Sequence, residues 1–178
     1  ADGRAEIPVG GGDRRMNLHC VRAVTALLGL IGALTAQAQV AFTWKGGGGN
    51  SFWNNPSNWS PAGLPNGPSS TFPPTGDSVR LTDEINPGAY TVIYNYDCGC
   101  FLSSLLISNG YATPSGPITL DIQGSLGLRV SGTTTVGEVG TGVLINNGGV
   151  HATQDLILGS TATGDGTYAL SNPVGTTI

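Results

Sequence analysis

The sequence predicts an all-β chain: a parallel β-solenoid (β-helix) entered through an irregular Trp/Pro/Gly-rich N-terminal cap. Three observations predict it. Charged residues make up only 10% of the chain, while Gly accounts for 29 of its 178 residues; ordinary globular domains carry about 25% charge and about 7% Gly. Short apolar runs alternate with Gly, Asn, Ser and Thr, and beyond residue 38 no segment carries an apolar period of a helix. Finally, one motif occurs twice at a spacing of 22 to 24 residues. A period of that size marks a unit that cannot bury its own apolar face and must stack on neighbours.

The chain divides in order as follows. Met16 is the only methionine, and residues 1–15 before it lack an apolar period, so they read as a non-native or untranslated leader outside the fold. Residues 16–38 have the pattern of a signal peptide: Arg22, an apolar run from Ala23 to Leu34, and the small-residue site Ala36-Gln37-Ala38. Cleavage there leaves Gln39 as the new N-terminus. The apolar run is shorter than the roughly 20 residues that span a bilayer, and Cys20 lies on the wrong side of it for a lipoprotein site. The expected location is therefore secreted or at the cell surface, with no membrane span after cleavage. Residues 39–82 are expected to form the aromatic cap, and 83–178 the coils, truncated at the C-terminus in mid-pattern.

The cap region holds Trp44, Trp53 and Trp59, the glycine run Gly46 to Gly49, and Pro56, Pro61, Pro65, Pro68, Pro73 and Pro74. Prolines at such intervals remove backbone donors and exclude a continuous helix. After it, strands are predicted at 78–81, 90–94, 105–107, 118–122 and 126–130, each short, β-branched and bounded by turn residues. The repeat follows. Val136-Gly137, Gly140-Thr141-Gly142 and Val143-Leu144-Ile145 return as Leu158-Gly159, Gly164-Asp165-Gly166 and Tyr168-Ala169-Leu170. Leu144, Leu156, Leu158 and Tyr168 are expected to point inward as ladders, with Gly and Asn at corners, where they tolerate positive φ. Scarce charge suits such a stack, because like charges about 4.8 Å apart repel.

Trp44-Lys45-Gly46-Gly47-Gly48-Gly49, Phe52-Trp53, Asn58-Trp59-Ser60 and Gly76-Asp77-Ser78-Val79 together resemble the opening of large bacterial exported proteins of the autotransporter passenger and PEP-CTERM-associated repeat type. Asn146-Asn147-Gly148-Gly149-Val150 and Leu156-Ile157-Leu158-Gly159 are similar to their repeats. The resemblance implies a surface or secreted β-solenoid with an adhesive or structural role, whose partners would be cell-surface glycans or matrix.

The chemistry-bearing residues are sparse. From Gln39 onward Lys45, Arg80 and Arg129 face Asp77, Asp83, Glu84, Asp97, Asp121, Glu138, Asp155 and Asp165. So few cations exclude nucleic acid as a partner, since binding it requires displacing condensed counterions. His151 is the only histidine after the cleavage site, and no Gly-x-Ser-x-Gly or phosphate-binding loop occurs. His151 reads as an outward polar residue, and Asp77 and Asp165 as turn formers. A β-helical polysaccharide lyase would want more cations, and a glycosidase needs two carboxylates roughly 5 to 9.5 Å apart. Only Asp83-Glu84 are close in sequence. No catalytic residue, cofactor or metal site is expected. Trp44, Trp53 and Trp59 fit either a plug for the open core or a platform for sugar rings, with Asn54, Asn55 and Asn58 supplying hydrogen bonds. Cys98 and Cys100 permit a strained local disulfide, two small packed residues, or, less readily, a metal pair or an intermolecular bridge.

Overall fold

A computed structural model describes residues 39–65, 76–97, 99, 101–112 and 116–171. The proposed leader, the signal peptide, Cys98 and Cys100 lie outside them. The described chain is a parallel β-solenoid of about four turns, and its only helix among these residues is a three-residue 3-10 turn, Pro56–Asn58. Eleven strands follow in order: β1 Ala41–Trp44, β2 Trp59–Ser60, β3 Ser78–Thr82, β4 Tyr90–Tyr94, β5 Phe101–Leu102, β6 Ser104–Ser108, β7 Ile118–Gln123, β8 Gly127–Val136, β9 Thr141–Asn147, β10 Val150–Leu158 and β11 Asp165–Ser171.

They form two sheets. The first has the order β10-β8-β6-β3-β1-β2, with β5 also on β8; the second has the order β11-β9-β7-β4. Every pairing is parallel except β1 with β2. Successive coils thus lay one strand beside the next in register. The step is 26 residues from Ser78 to Ser104, 23 from Gly127 to Val150 and 24 from Thr141 to Asp165.

Register converts alternation into ladders. Phe42, Val79, Leu105 and Thr134 stack on one inward column, and Leu81, Ile107 and Val136 on the next. Across the core, Val92, Leu120, Leu144 and Tyr168 form a third. Apart from the half-buried Tyr168, all of these are buried. Outward columns are polar or aliphatic but nearly uncharged, such as Thr91, Thr119, Val143 and Thr167.

The repeated glycines sit where backbones of consecutive coils nearly touch. A Cβ on Gly142 would run into the Ile107 carbonyl, and one on Gly166 into the Val136 carbonyl. Gly137 and Gly159 adopt φ of 70° and 67°, which L side chains rarely do. Their N–H groups donate to the same two carbonyls, of Ile107 and Val136. The repeat is therefore a corner, copied one coil later.

The cap and the coils overlap more than the sequence suggests. β1, inside the expected cap, is already a rung, because Phe42 pairs with Val79. β8 and β10 also run longer than their apolar cores. Leu156 and Leu158 occupy the inward columns below Thr134 and Val136 as expected, yet they stay exposed because they lie on the last described rung of their sheet.

One inward position is mismatched. Asn146 is buried between Ile122 and Leu170 in its column, and neither atom of its amide finds a hydrogen-bond partner. A buried amide left unpaired costs roughly 1 to 3 kcal/mol. Asn146→Leu, which continues the aliphatic column, is expected to raise the unfolding free energy by about 1 kcal/mol or more in urea titrations. A loss of stability would mean that the amide serves a contact essential to the fold.

Candidate functional site

Three places on the solenoid concentrate chemistry: the aromatic cap, a charged corner, and the face beyond the last coil. In the cap, a two-residue strand and a tight loop close the beginning of the stack. β2 pairs antiparallel on β1, matching Trp59 to Trp44. The loop docks on the other sheet, where Trp53 N–H donates to the Ile93 carbonyl at 2.9 Å and Ile93 N–H donates to the Ser51 carbonyl at 2.8 Å. The first edge of each sheet is thereby covered.

Beneath this lid the indoles interlock. Trp59 meets Trp44 edge-on at 5.0 Å and Trp53 at 4.7 Å between ring centroids, and Trp53 meets Tyr94 at 5.1 Å. All three indoles are at most 2% exposed. The Trp59 indole N–H donates to the Trp53 carbonyl at 2.8 Å. No ring face is left for a sugar, so the platform expectation fails: burying their large apolar area stabilises these side chains more than display would.

The asparagines are likewise consumed internally. Buried Asn58 accepts from Gly48 N–H at 2.7 Å and donates to the Asn50 and Phe52 carbonyls, both at 3.0 Å. Asn55 donates to the Gly48 carbonyl and accepts from Ser57 N–H, and Asn54 pairs with Asn95.

The charged corner was invisible in sequence beyond the Asp83-Glu84 pair. The Asp83 carboxylate accepts from the backbone N–H groups of Gly110, Tyr111 and Ala112 at 3.2, 2.9 and 3.2 Å, one coil on. Ser108 Oγ repeats the device, accepting from Val139 N–H at 3.1 Å, and Asn109 Oδ1 from Thr141 N–H. Each corner thus holds the turn of the next coil.

Beside Asp83, Arg80 bonds Glu84 at 2.8 Å and lies 5.4 Å from the Tyr111 ring centroid, while the Tyr111 hydroxyl donates to Glu138. Burial pushes the Tyr111 hydroxyl well above its ordinary pKa, and the bond to Glu138 adds to this. It keeps its proton, so it is a poor base, and Arg80 is already neutralised. For Asp83, burial raises the carboxyl pKa, but the bonds from Tyr111, Ala112 and Gly110 prevail and hold it below the ordinary value.

At the far end His151 points inward, in the column of Leu128, correcting the expectation that it faces outward. Its Nε2 lies 3.2 Å from Thr134 Oγ1, which donates to Thr153 Oγ1 at 3.1 Å, and its ring lies 5.6 Å from that of Tyr168. Alternation from Leu128 forces the position, although neighbouring Val150 and Ala152 are exposed. Desolvation lowers its pKa from 6.5 to about 4. Among the described residues no group of three or more His, Cys, Asp or Glu could hold a metal ion, and no helix is long and apolar enough to cross a membrane. No protein family, curated protein or solved structure matches the chain.

Two predictions follow from this geometry. Trp59→Ala is expected to cost about 3 to 5 kcal/mol of stability, the range for truncating a buried aromatic; a variant within 1 kcal/mol of the parent in chemical denaturation would remove the cap from the energetic core.

Stability should also fall with acid in two windows. His151 is neutral when folded, so the unfolded chain binds more protons between pH 6.5 and about 4, and stability drops as pH falls through that range. Asp83, with its lowered folded pKa, contributes stability that is present above the unfolded carboxyl pKa of about 3.9 and lost as pH falls through the folded value. Thermal melts from pH 8 to 2.5 should show His151→Gln flattening the upper window and Asp83→Asn the lower.

Proposed function

We propose that this chain is a structural or adhesive region of an exported bacterial surface protein, a non-catalytic stiff spacer that displays side chains along its length. The observation carrying the reading is the parallel pairing of strand on strand that runs from a sealed aromatic end to the last described rung. Such a stack behaves quasi-one-dimensionally: each coil contacts only its neighbours and holds length at fixed direction. The outer columns add a nearly uncharged surface suited to display. The signal-like segment at 16–38 and the resemblance to autotransporter passenger and PEP-CTERM-associated repeat proteins support export to the cell surface.

A carbohydrate-binding role for Trp44, Trp53 and Trp59 is disfavoured by their burial. At the corner of Arg80 and Tyr111, the groups that a lyase or glycosidase could draw on are engaged with one another.

The test is expression of the full chain in a diderm bacterial host, with fractionation and N-terminal sequencing, followed by a glycan array. The spacer reading expects a processed chain beginning at Gln39 outside the inner membrane and no glycan retained. An unprocessed, folded cytoplasmic chain sinks the export half, and saturable binding of a defined glycan replaces the spacer half with a binding one.

A further inference from the structure

β10 pairs with β8 in two halves, and a polar cluster lies where they meet. Its first half pairs with Gly127 to Val130 and its second with Thr133 to Val136, with a register shift between Thr153 and Asp155. One coil earlier the inward residues at the start of this stretch are Leu128 and Val130, both buried. On β10 their places are taken by His151 and Thr153. Both side chains meet the buried Thr134, from the second half of β8. An imidazole thus stands where the preceding coil places an aliphatic side chain.

The hydrogen bonds fix its state. Thr153 Oγ1 directs its proton to main-chain carbonyls, those of Gly132 at 3.0 Å and Asp155 at 2.9 Å. It therefore accepts from Thr134 Oγ1, at 3.1 Å. A hydroxyl has one proton to give, so toward His151 Nε2, at 3.2 Å, Thr134 is the acceptor. His151 is then the neutral tautomer with its proton on Nε2. Its Nδ1 has no hydrogen-bond partner among the described residues.

Among the described residues no charge faces the ring. The strands in main contact with β10 are β8 and β11. From β8, Leu128 and Thr134 face it, while Arg129 alternates outward and lies over the Phe101 ring. From β11, the Tyr168 ring approaches to 5.6 Å, while Asp165 is exposed on the outer face. Asp155, on β10 itself, is exposed and pairs with Thr133 outside the core. Burial is accordingly the cause that lowers the imidazole pKa from 6.5 to about 4.

We infer that His151 is an acid-released latch: the neutral ring fastens β10 to β8 and β11, and a proton on Nδ1 loosens the last described coil while the cap stays closed. The direction follows from linkage. Between pH 6.5 and about 4 the enclosed ring stays neutral, whereas a ring released to water binds a proton, so acid favours the open coil in that window. One proton bound only by the open form raises its population by about tenfold per pH unit. The opening is local because each coil of a stack contacts only its neighbours and can open in its own unit. The indoles that interlock in the cap do not titrate there.

The experiment is amide hydrogen exchange on the full chain at pH 6.5 and pH 5, expressed as protection factors at two reporters. Val150 N–H donates to the Leu126 carbonyl at 2.8 Å in the last described coil, and Lys45 N–H to the Asn58 carbonyl at 2.8 Å in the cap. The latch expects protection at Val150 to fall by about fivefold or more relative to Lys45; a smaller difference overturns it. His151→Gln, whose side-chain amide can still donate to Thr134 but does not titrate, is expected to abolish that difference. A difference that persists in the variant assigns the acid response to another group and sinks the latch. Nitrogen-15 spectra of the His151 ring in the unmodified chain need no variant. They should show the Nε2–H tautomer and a titration midpoint at least one pH unit below 6.5; an Nδ1–H tautomer or a higher midpoint refutes the inference. The export reading is untouched by either result.

Discussion

The constraint on which this molecule depends is the approach of one backbone to the next at about 4.8 Å, repeated in parallel from coil to coil. Whatever occupies a position on one rung meets its counterpart on the next, so the interior selects columns rather than isolated residues. Val79 above Leu105 and Leu120 above Leu144 satisfy that demand by burying their sides against each other. A charge placed inside would meet the same column twice, once above and once below, without water to screen it. The low charge fraction of the chain is therefore a consequence of stacking before it is a statement about partners.

Corners obey the same rule with different chemistry. There the strand pairing stops, and backbone N–H groups of a turn need acceptors from elsewhere. Asp83 supplies them to the turn at Gly110–Ala112, and Ser108 and Asn109 supply them to the turn at Val139–Thr141. A side chain of one coil thus fixes the turn of the following coil. These bonds tie the position of each such turn to the coil before it. Asp83 is the carboxylate that the main-chain donors of such a turn occupy.

Much of the architecture was legible in sequence because columns leave a periodic trace. The runs at 78–81, 90–94, 105–107 and 118–122 fall on β3, β4, β6 and β7, and the Gly137/Gly159 repeat falls on a true corner. What was hidden had no such trace. β1 and β2 lie among prolines and glycines, and they are strands because their indoles pack and their backbones cover the first sheet edge. The second half of β8, Ser131 to Thr135, reads as polar loop, yet Thr134 is buried because Thr153 and His151 satisfy its hydroxyl. The fate of the tryptophans needed three dimensions: sequence spacing cannot distinguish an exposed aromatic row from one folded in on itself. The Asp83 cluster was equally unreadable, since its donors lie 27 to 29 residues away.

The stack is also graded along its length, and the gradient bears on how it holds together. The first coils pack Phe42, Trp44, Trp53, Trp59 and Tyr94, rings that each bury on the order of 150 to 250 Å². Toward the other end small and polar residues enter the inward columns among the aliphatic ones: Gly142, Gly166, Thr134, Thr153 and the unpaired amide of Asn146. In a structure whose stability is a sum over coils and their interfaces, free energy is therefore concentrated in the cap and thins toward the last rung. Opening should begin where Leu156, Leu158 and Leu170 lie half bare and proceed toward the indoles. Such a stack is anchored at its sealed end, and the last described coils stand only as firmly as the partly exposed Leu156, Leu158 and Leu170 allow.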